Sequence, residues 1–311
     1  MDSICKECQL GFRSLEAMHR HLRAHKISLA YYYQKHFPRY DKYDGSLIVF
    51  KSIEYYFSTD FNNRRNVSAW FKSNDKNTVK HYLTDWLFNR IARKQLKFMP
   101  TQVELRTLPV PGMKYWQEVW GIPYTQIAAE FGLMSRFSLR SFSGSWDTFN
   151  SGSKIIIDTR EQLPLKFKGI KTISEGLPFG DYKLDNDSMS KHGFIERKAV
   201  GDLYGTMTGG YERFQKELDK ANEACAYIVV VVEGDFETVK DYPNHTGGRV
   251  KISPEFIFHR VRELIQKYDH IQFLFTKNRD DSTEAIKKIF TSKGQYKQID
   301  LQYQYDTGGL I

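Results

Sequence analysis

Two carboxylates and a lysine stand at the two ends of one polar segment in the second half of the chain. Asp181 begins the strand-like stretch GDYKL, and Glu196 and Lys198 lie in the stretch GFIERKA, with turn-prone residues between the two. This pattern predicts a β-hairpin, in which alternation puts Phe194, Glu196 and Lys198 on one face. In the simplest pairing, Asp181 lies close to Glu196 and Lys198 at the open end of the hairpin.

Such a group of side chains has a chemical use. Carboxylate oxygens bind hard cations such as Mg²⁺ or Mn²⁺, which polarise a phosphoryl oxygen and lower the pKa of a bound water. A lysine beside them can orient or deprotonate that water, or stabilise the developing charge. The three residues are therefore typical of a site for phosphodiester hydrolysis, although surface ion pairs often produce the same spacing.

A second group of metal-ligating residues lies near the N-terminus. Cys5, Cys8, His21 and His25 have the spacing C-x2-C-x12-H-x3-H, which falls within the range of tetrahedral zinc sites. His19 fits this spacing less well than His21. The pattern resembles a two-Cys, two-His zinc finger, whose helix enters the major groove of DNA. A single finger could equally bind a protein or anchor the N-terminus.

The distribution of charge favours a polyanionic partner for the N-terminal half. The net charge is +9, and residues 1–150 hold 22 Lys and Arg against 13 Asp and Glu, whereas residues 151–311 hold 24 of each. A basic half joined to a neutral half is typical of a DNA-binding module attached to another domain. The candidate DNA contacts are Arg20, with Ser14 and Ala17 on the same finger helix, and Arg64, Arg65, Arg90, Arg93, Lys94 and Lys97.

The segment between the finger and the hairpin region is predicted to be helical. Apolar residues recur at helical spacing over 79–91, and PTQVELRTL, GMKYWQEVWG and PYTQIAAEFGL form three further short patterns separated by Pro and Gly. The last two have the size of a helix-turn-helix. Three packed helices do not require DNA, so a purely structural role is the alternative.

The second half of the chain resembles a known family. A hairpin with the pattern D-x14-E-x-K resembles the restriction-endonuclease-like nucleases, and the stretches IIIDTRE, GDY and IERKAVGDL resemble the XPF-type nucleases over roughly residues 153–291. The resemblance implies an α+β fold with a mixed sheet and flanking helices. It also implies a phosphodiesterase that acts on DNA with Mg²⁺ or Mn²⁺.

The resemblance assigns roles to particular residues. Asp181, Glu196 and Asp158 would bind the catalytic metal, Glu161 would complete the acidic cluster as a ligand of metal or water, and Lys198 would act on the water. The supporting groups that it implies are Arg160, Arg197 and Asp202.

These patterns predict a division into segments. The division is a zinc finger at 1–28, a helical DNA-binding segment at 29–142, a linker at 143–153, the nuclease domain at 154–291 and a polar tail at 292–311. The tail is too short for the helix-hairpin-helix units that follow the nuclease domain in many relatives, so DNA binding is expected from the N-terminal half. An apolar stripe could form a homodimer face or could pack on its own sheet: Ile257, Val261, Leu264, Ile265 and Tyr268.

A zinc finger and a helix-turn-helix joined to a nuclease resemble phage-type homing endonucleases. We therefore expect a metal-dependent endonuclease that selects sites on duplex DNA. The alternatives are a structure-selective nuclease for flaps or junctions and a DNA-binding protein without activity. With three cysteines and no signal-peptide or transmembrane pattern, we expect a reducing, cytoplasmic setting in a bacterial or phage-infected cell.

Overall fold

The computed structural model of the chain describes residues 4–138, 153–185, 193–292 and 294–311. The predicted linker lies outside the described residues apart from Ser153. The chain separates into two compact units, Met1–Trp86 with Leu108–Pro111 and Leu87–Thr107 with Gly112–Ile311. No helix of the described ranges is long and apolar enough to cross a membrane.

The first unit is helical, and the finger is built into its core. Helix α1 (Leu15–His21) begins after Ser14, whose hydroxyl accepts a hydrogen bond from the Ala17 N–H, and a 3₁₀ turn follows it. The other helices are α2 (Leu29–His36), α3 (Ile53–Ser58), α4 (Arg64–Ser73) and α5 (Lys76–Lys94), which ends in the second unit. The finger shares one buried cluster with the helices after it: Cys5, Met18, Leu22, Tyr32, Tyr33, Ile48 and Tyr56. The predicted finger at 1–28 thus packs through the apolar side of α1 against the helices that follow it.

The second unit is an α+β domain with one six-stranded sheet. Its strands are β1 (Lys154–Asp158), β2 (Lys171–Glu175), β3 (Tyr182–Leu184), β4 (Gly193–Ala199), β5 (Tyr227–Glu233) and β6 (Ile271–Thr276). The strand order is β2-β1-β3-β4-β5-β6. Strand β3 is antiparallel to β1 and β4, and the other pairs are parallel. The C-terminal ends of β1, β2, β4, β5 and β6 therefore share one edge of the sheet with the start of β3.

The helices of this unit cover both faces of the sheet. They are α6 (Gln102–Thr107), α7 (Met113–Trp120), α8 (Tyr124–Glu130), α9 (Val200–Met207), α10 (Tyr211–Glu223), α11 (Phe236–His245), α12 (Pro254–Lys267), α13 (Arg279–Thr291) and α14 (Leu301–Asp306). On the first face, Phe194 packs with residues of α9, α10 and α12. On the second face, Ile195 packs with residues of α13 and α14. The alternation predicted for β4 is thus confirmed.

The three short helices predicted after α5 are confirmed as α6, α7 and α8. They belong to the same compact unit as the sheet, whereas the sequence predicted them within a separate segment at 29–142. Buried polar contacts explain the difference, because the Gln102 backbone N–H donates to the Asp300 carboxylate at 2.9 Å and the Gln102 side chain donates to Asp306 at 2.7 Å.

The segment predicted to be a polar tail forms α14 and covers the edge strand β6. The side-chain amide of Gln302 accepts from the Phe275 N–H at 2.8 Å and donates to the Phe275 carbonyl at 3.3 Å, which pairs the open edge as a strand would. Leu301 is fully buried and Gln302 is 1% exposed. The polar composition of this segment reflects its hydrogen bonds to a strand edge, which would otherwise be open to association.

The stripe considered as a homodimer face lies in the interior. Ile257, Val261 and Leu264 are fully buried within the first-face cluster, and Ile265 and Tyr268 lie there too. The stripe therefore packs on the protein's own sheet, which was the second of the two predicted alternatives.

Candidate active site and zinc centre

Asp181 is held at the junction of three strands by its own backbone and side chain. Its N–H donates to the Ile195 carbonyl at 2.7 Å, and its carbonyl accepts from the Asp158 N–H at 2.8 Å. Its carboxylate accepts from the Arg197 N–H at 2.7 Å. These contacts fix Asp181 beside the C-terminal half of β4, as the predicted hairpin required.

Gly180 makes this close approach of the chain possible. Its φ of +61° lies in the left-handed region, and a Cβ atom at this position would stand 2.6 Å from the Ile195 carbonyl oxygen. Only glycine meets both conditions without strain. The GD pair therefore has a geometric reason, because Gly180 lets Asp181 reach β4.

Glu196 and Lys198 point to the first face and contact each other. The Lys198 ammonium donates to the Glu196 carboxylate at 2.5 Å, and both side chains are largely buried. The Lys198 Nζ atom also lies 5.6 Å from the centre of the Phe214 ring. The lysine is therefore held next to the carboxylate rather than extended into solvent.

The negative charge of Glu196 affects the ionisation of Asp181. Burial and, after it, the nearby negative charge of Glu196 together raise the pKa of Asp181 to about 7. Two carboxylates that resist joint ionisation are the expected donor set for a cation, which would remove the repulsion. The pair Asp181 and Glu196 therefore fits a hard divalent metal.

The carboxylate of Asp158 is bound to an arginine and to a backbone N–H. Its carboxylate accepts two bonds from the Arg160 guanidinium, at 2.7 and 2.9 Å, and one from the Leu177 N–H at 2.7 Å. The hydrogen bond with Arg160, together with those from backbone N–H groups, lowers the pKa of Asp158 to about 2 despite its burial. In this arrangement Asp158 and Arg160 fix the loop after β1, so the role of Asp158 as a metal ligand remains a prediction.

Glu161 also forms an ion pair with an arginine, Arg197. Both of its oxygens accept from the Arg197 guanidinium, at 2.9 and 3.1 Å. Burial opposes the charge of Arg197, but the hydrogen bonds with Glu161 and the charge of Glu233 outweigh it and raise the pKa of Arg197. Glu233 in turn accepts from Arg197 at 3.1 Å and from Arg279 at 2.9 Å.

This chain of ion pairs closes on itself, because Arg279 also donates to the Leu163 carbonyl in the loop that carries Glu161. The network lies behind β4, on the opposite face from Glu196. Sequence reasoning missed Glu233 and Arg279. Their only signal is a charged residue at the end of a buried apolar strand and another at the start of a helix.

Of the predicted active-site residues, the structure brings Asp181, Glu196 and Lys198 together at one edge of the sheet. Asp158, Arg160, Glu161 and Arg197 surround them in other contacts. Asp202 lies exposed in the first turn of α9.

The four predicted zinc ligands converge. The distance between Cys5 Sγ and His25 Nε2 is 3.6 Å, that between Cys8 Sγ and His21 Nε2 is 3.3 Å, and the two Nε2 atoms are 3.0 Å apart. One ligand atom from each residue lies within 4.8 Å of all the others, and among the described residues no other group of three or more His, Cys, Asp or Glu is so compact.

These distances fit a single tetrahedral ion. Zinc bonds of about 2.0 Å to nitrogen and 2.3 Å to sulfur place neighbouring ligand atoms about 3.3–3.8 Å apart, close to the separations in the structure. Cys5 lies in a tight loop in which its N–H donates to the Leu10 carbonyl. His19 is not a ligand, because its Nε2 atom contacts the Tyr33 hydroxyl at 2.8 Å.

The predicted DNA contacts differ in accessibility. Arg64 is half-buried and donates to the Leu108 and Val110 carbonyls at 2.8 and 3.1 Å. Arg90 is 7% exposed. These two guanidinium groups take part in the packing of the protein. The remaining predicted contacts are exposed: Arg20, Arg65, Arg93, Lys94 and Lys97.

The two carboxylates and the lysine lie within a stretch of the chain that matches a known family. Residues 156–289 match the family model of the ERCC4 domain, in agreement with the resemblance to XPF-type nucleases over this stretch.

Two solved structures are also similar to this chain. They are XPF from Aeropyrum pernix (20% identity, TM-score 0.34) and the same protein in complex with DNA (22% identity, TM-score 0.33). Each alignment covers 44% of this chain, and the two cover 64% and 62% of the respective structures. The chain thus spans less than two thirds of either one. A comparison with curated proteins finds no match.

Protein prepared without magnesium or manganese should become less stable as the pH rises. The pKa of Asp181 in the folded state, about 7, lies above its unfolded value of about 3.9. The folded protein therefore keeps a proton that the unfolded chain releases between these values, and the contribution of Asp181 to stability falls over this range. Urea unfolding should show Asp181→Asn gaining stability relative to wild type from pH 5 to pH 8. An identical difference at both pH values would contradict the assignment.

The finger should hold one zinc ion per chain. Metal analysis of the purified protein should give one equivalent, and Cys8→Ser should lose it because a tetrahedral site needs all four ligands. Cys225→Ser is the matched control, since Cys225 is exposed and lies outside the group. Equal zinc content in the two variants would refute the site.

Proposed function

We propose that this protein is a metal-dependent DNA endonuclease. The observation that carries the proposal is the convergence of Asp181, Glu196 and Lys198 at one edge of the sheet. The ERCC4 match over the same residues supports it. A non-catalytic DNA-binding protein would have no reason to bury two carboxylates that repel each other.

In the proposed mechanism, Asp181 and Glu196 are the residues that would hold Mg²⁺ or Mn²⁺. The bound cation would supply Lewis acidity at a phosphoryl oxygen and a more acidic water. Lys198, held by Glu196, orients the attacking water or stabilises the negative charge that develops on the phosphate. The Arg197 N–H keeps the Asp181 carboxylate turned toward the site.

In this mechanism Asp158 and Glu161 act indirectly, each through the arginine that it binds. Asp158 with Arg160 fixes the loop after β1, and Glu161 with Arg197 holds that loop against β4. The family resemblance implies instead that these two carboxylates would be ligands of the metal or of a water, which would require each to leave its arginine. Asp202, exposed on α9, would be an outer supporting group.

The first unit is proposed to bring the enzyme to chosen sites on duplex DNA. The finger leaves Arg20 on α1 and Ser14 at its N-terminal cap exposed, where a finger helix contacts bases and phosphates. Arg65 supplies additional positive charge for the DNA backbone in this unit, and Arg93, Lys94 and Lys97 supply it in the second unit. This arrangement would give the site selectivity of a homing endonuclease.

A structure-selective nuclease is the second candidate. The observation that favours it is the ERCC4 match, since XPF-type nucleases act on branched DNA. In that case the finger and the basic residues would hold duplex arms without reading their sequence. The cut would lie at a flap or a junction.

A cleavage assay distinguishes the candidates. Wild-type protein with Mg²⁺ or Mn²⁺ is incubated with random-sequence duplexes, a flap and a four-way junction, beside Glu196→Gln and the control Glu212→Gln on the exposed start of α10. We expect Glu196→Gln to lower the cleavage rate at least about 100-fold, because loss of a metal ligand costs more than loss of a surrounding partner, while DNA binding persists.

Discrete cuts in particular duplexes would support site selectivity, and cuts at branch points would support the second candidate. Binding without cleavage by the wild type, on every substrate and with either metal, would overturn the endonuclease proposal.

A further inference from the structure

Three lysines lie on the same face of the sheet as Glu196 and Lys198. Lys154 on β1 and Lys171 on β2 are direct register partners, and Lys183 on β3 is the partner of Ile156. Register partners point to the same side, and Ile156 belongs to the first-face cluster. Lys154, Lys171 and Lys183 therefore face the side on which Glu196 and Lys198 lie.

Among the described residues, no carboxylate neutralises the charges of these lysines. Like charges directly opposite each other on neighbouring strands are destabilising, and Lys154 and Lys171 are such a pair. Lys198 pairs with Glu196, but none of the three lysines forms an ion pair with a carboxylate of the described residues. Two acidic residues, Asp185 and Glu175, lie near the three lysines. Asp185 donates its N–H to the Lys154 carbonyl, and Glu175 is the partner of Asp158.

This surface is accessible at β2, and Lys154 and Lys183 are half-buried. On β2, Lys171 is exposed and Ile173 is half-buried, whereas the first face of β4, β5 and β6 is covered by α9, α10 and α12. The Lys183 Nζ atom lies 5.4 Å from the centre of the Phe194 ring, so its stem is supported on the sheet. Lysines whose stems rest on apolar side chains and whose charges have no described acidic partner suit a polyanion.

The position of these lysines follows from the strand geometry. Lys183 is two residues from Asp181, and Lys154 is four residues from Asp158, so at about 3.3 Å per residue they stand about 7 and 13 Å from the active-site edge. A chain of phosphates that leaves the active site along β3 and β1 would meet Lys183 first, then Lys154 and Lys171.

We propose that Lys154, Lys171 and Lys183 form a lysine track that binds the phosphodiester backbone of DNA next to the scissile phosphate. This inference rests on the proposed function and adds a substrate contact within the nuclease domain itself. The track would hold the substrate strand in register with Asp181 and Glu196, whereas the first unit selects where the enzyme binds.

The salt dependence of DNA binding tests the track. The full chain carrying Glu196→Gln, which blocks hydrolysis, is titrated with a duplex from 50 to 200 mM KCl. We compare Lys154→Gln/Lys171→Gln and Lys183→Gln with the control Lys166→Gln/Lys168→Gln. The control removes two exposed lysines that flank Leu165 and Phe167, which pack on the second face.

We expect the slope of log K against log salt to become shallower by about 0.9 for each track lysine removed, with a smaller change in the control. Lys154→Arg/Lys171→Arg should bind as the parent does. Equal slopes for the two double Gln variants would overturn the track. Loss of affinity in the Arg variant would also overturn it, because charge would not be the cause.

Failure of the proposed function is distinguishable from failure of the track. A wild-type protein that never cleaves, but whose binding depends on these lysines as described, would refute the endonuclease and leave the track supported. A protein that cleaves normally, with unchanged slopes in the track variants, would support the endonuclease and refute the track.

Discussion

The hydrogen bonds of Asp181 are the constraint on which the active site depends. One residue joins β1 through its carbonyl, β4 through its N–H and the backbone of Arg197 through its carboxylate. Gly180 permits this approach, and the first-face direction of Glu196 follows from the register of β3 and β4. Without this junction, the carboxylates would stand on separate strands with no fixed separation.

The charged residues of the site form two layers, one on each face of the sheet. The first face holds Asp181, Glu196 and Lys198, and the second face holds the closed chain of Glu161, Arg197, Glu233 and Arg279. Arg197 links the two layers, because its N–H contacts Asp181 while its guanidinium contacts Glu161. The ion pairs thereby fix the loop after β1 and the end of β5 around the residues that would bind the metal.

Much of this arrangement could be predicted from local sequence. The period of two over GFIERKA gave the directions of Glu196 and Lys198, and the Cys and His spacing gave the zinc group, because both depend on residues close in the chain. The Arg160 contact of Asp158 and the roles of Glu233 and Arg279 could not be predicted, since they depend on which strands become neighbours. The burial of Gln302 could not be predicted for the same reason. A polar side chain is expected to be exposed unless the open strand edge to which it hydrogen-bonds is known.

The central claim, that Asp181 and Glu196 bind one divalent cation, is tested most directly by titrating zinc-loaded protein with Mn²⁺ and counting bound ions by electron paramagnetic resonance. Wild type and the control Glu175→Gln are expected to bind one Mn²⁺ tightly. Asp181→Asn and Glu196→Gln are each expected to lose it while keeping their zinc. Mn²⁺ binding by Asp181→Asn with wild-type affinity would contradict the account.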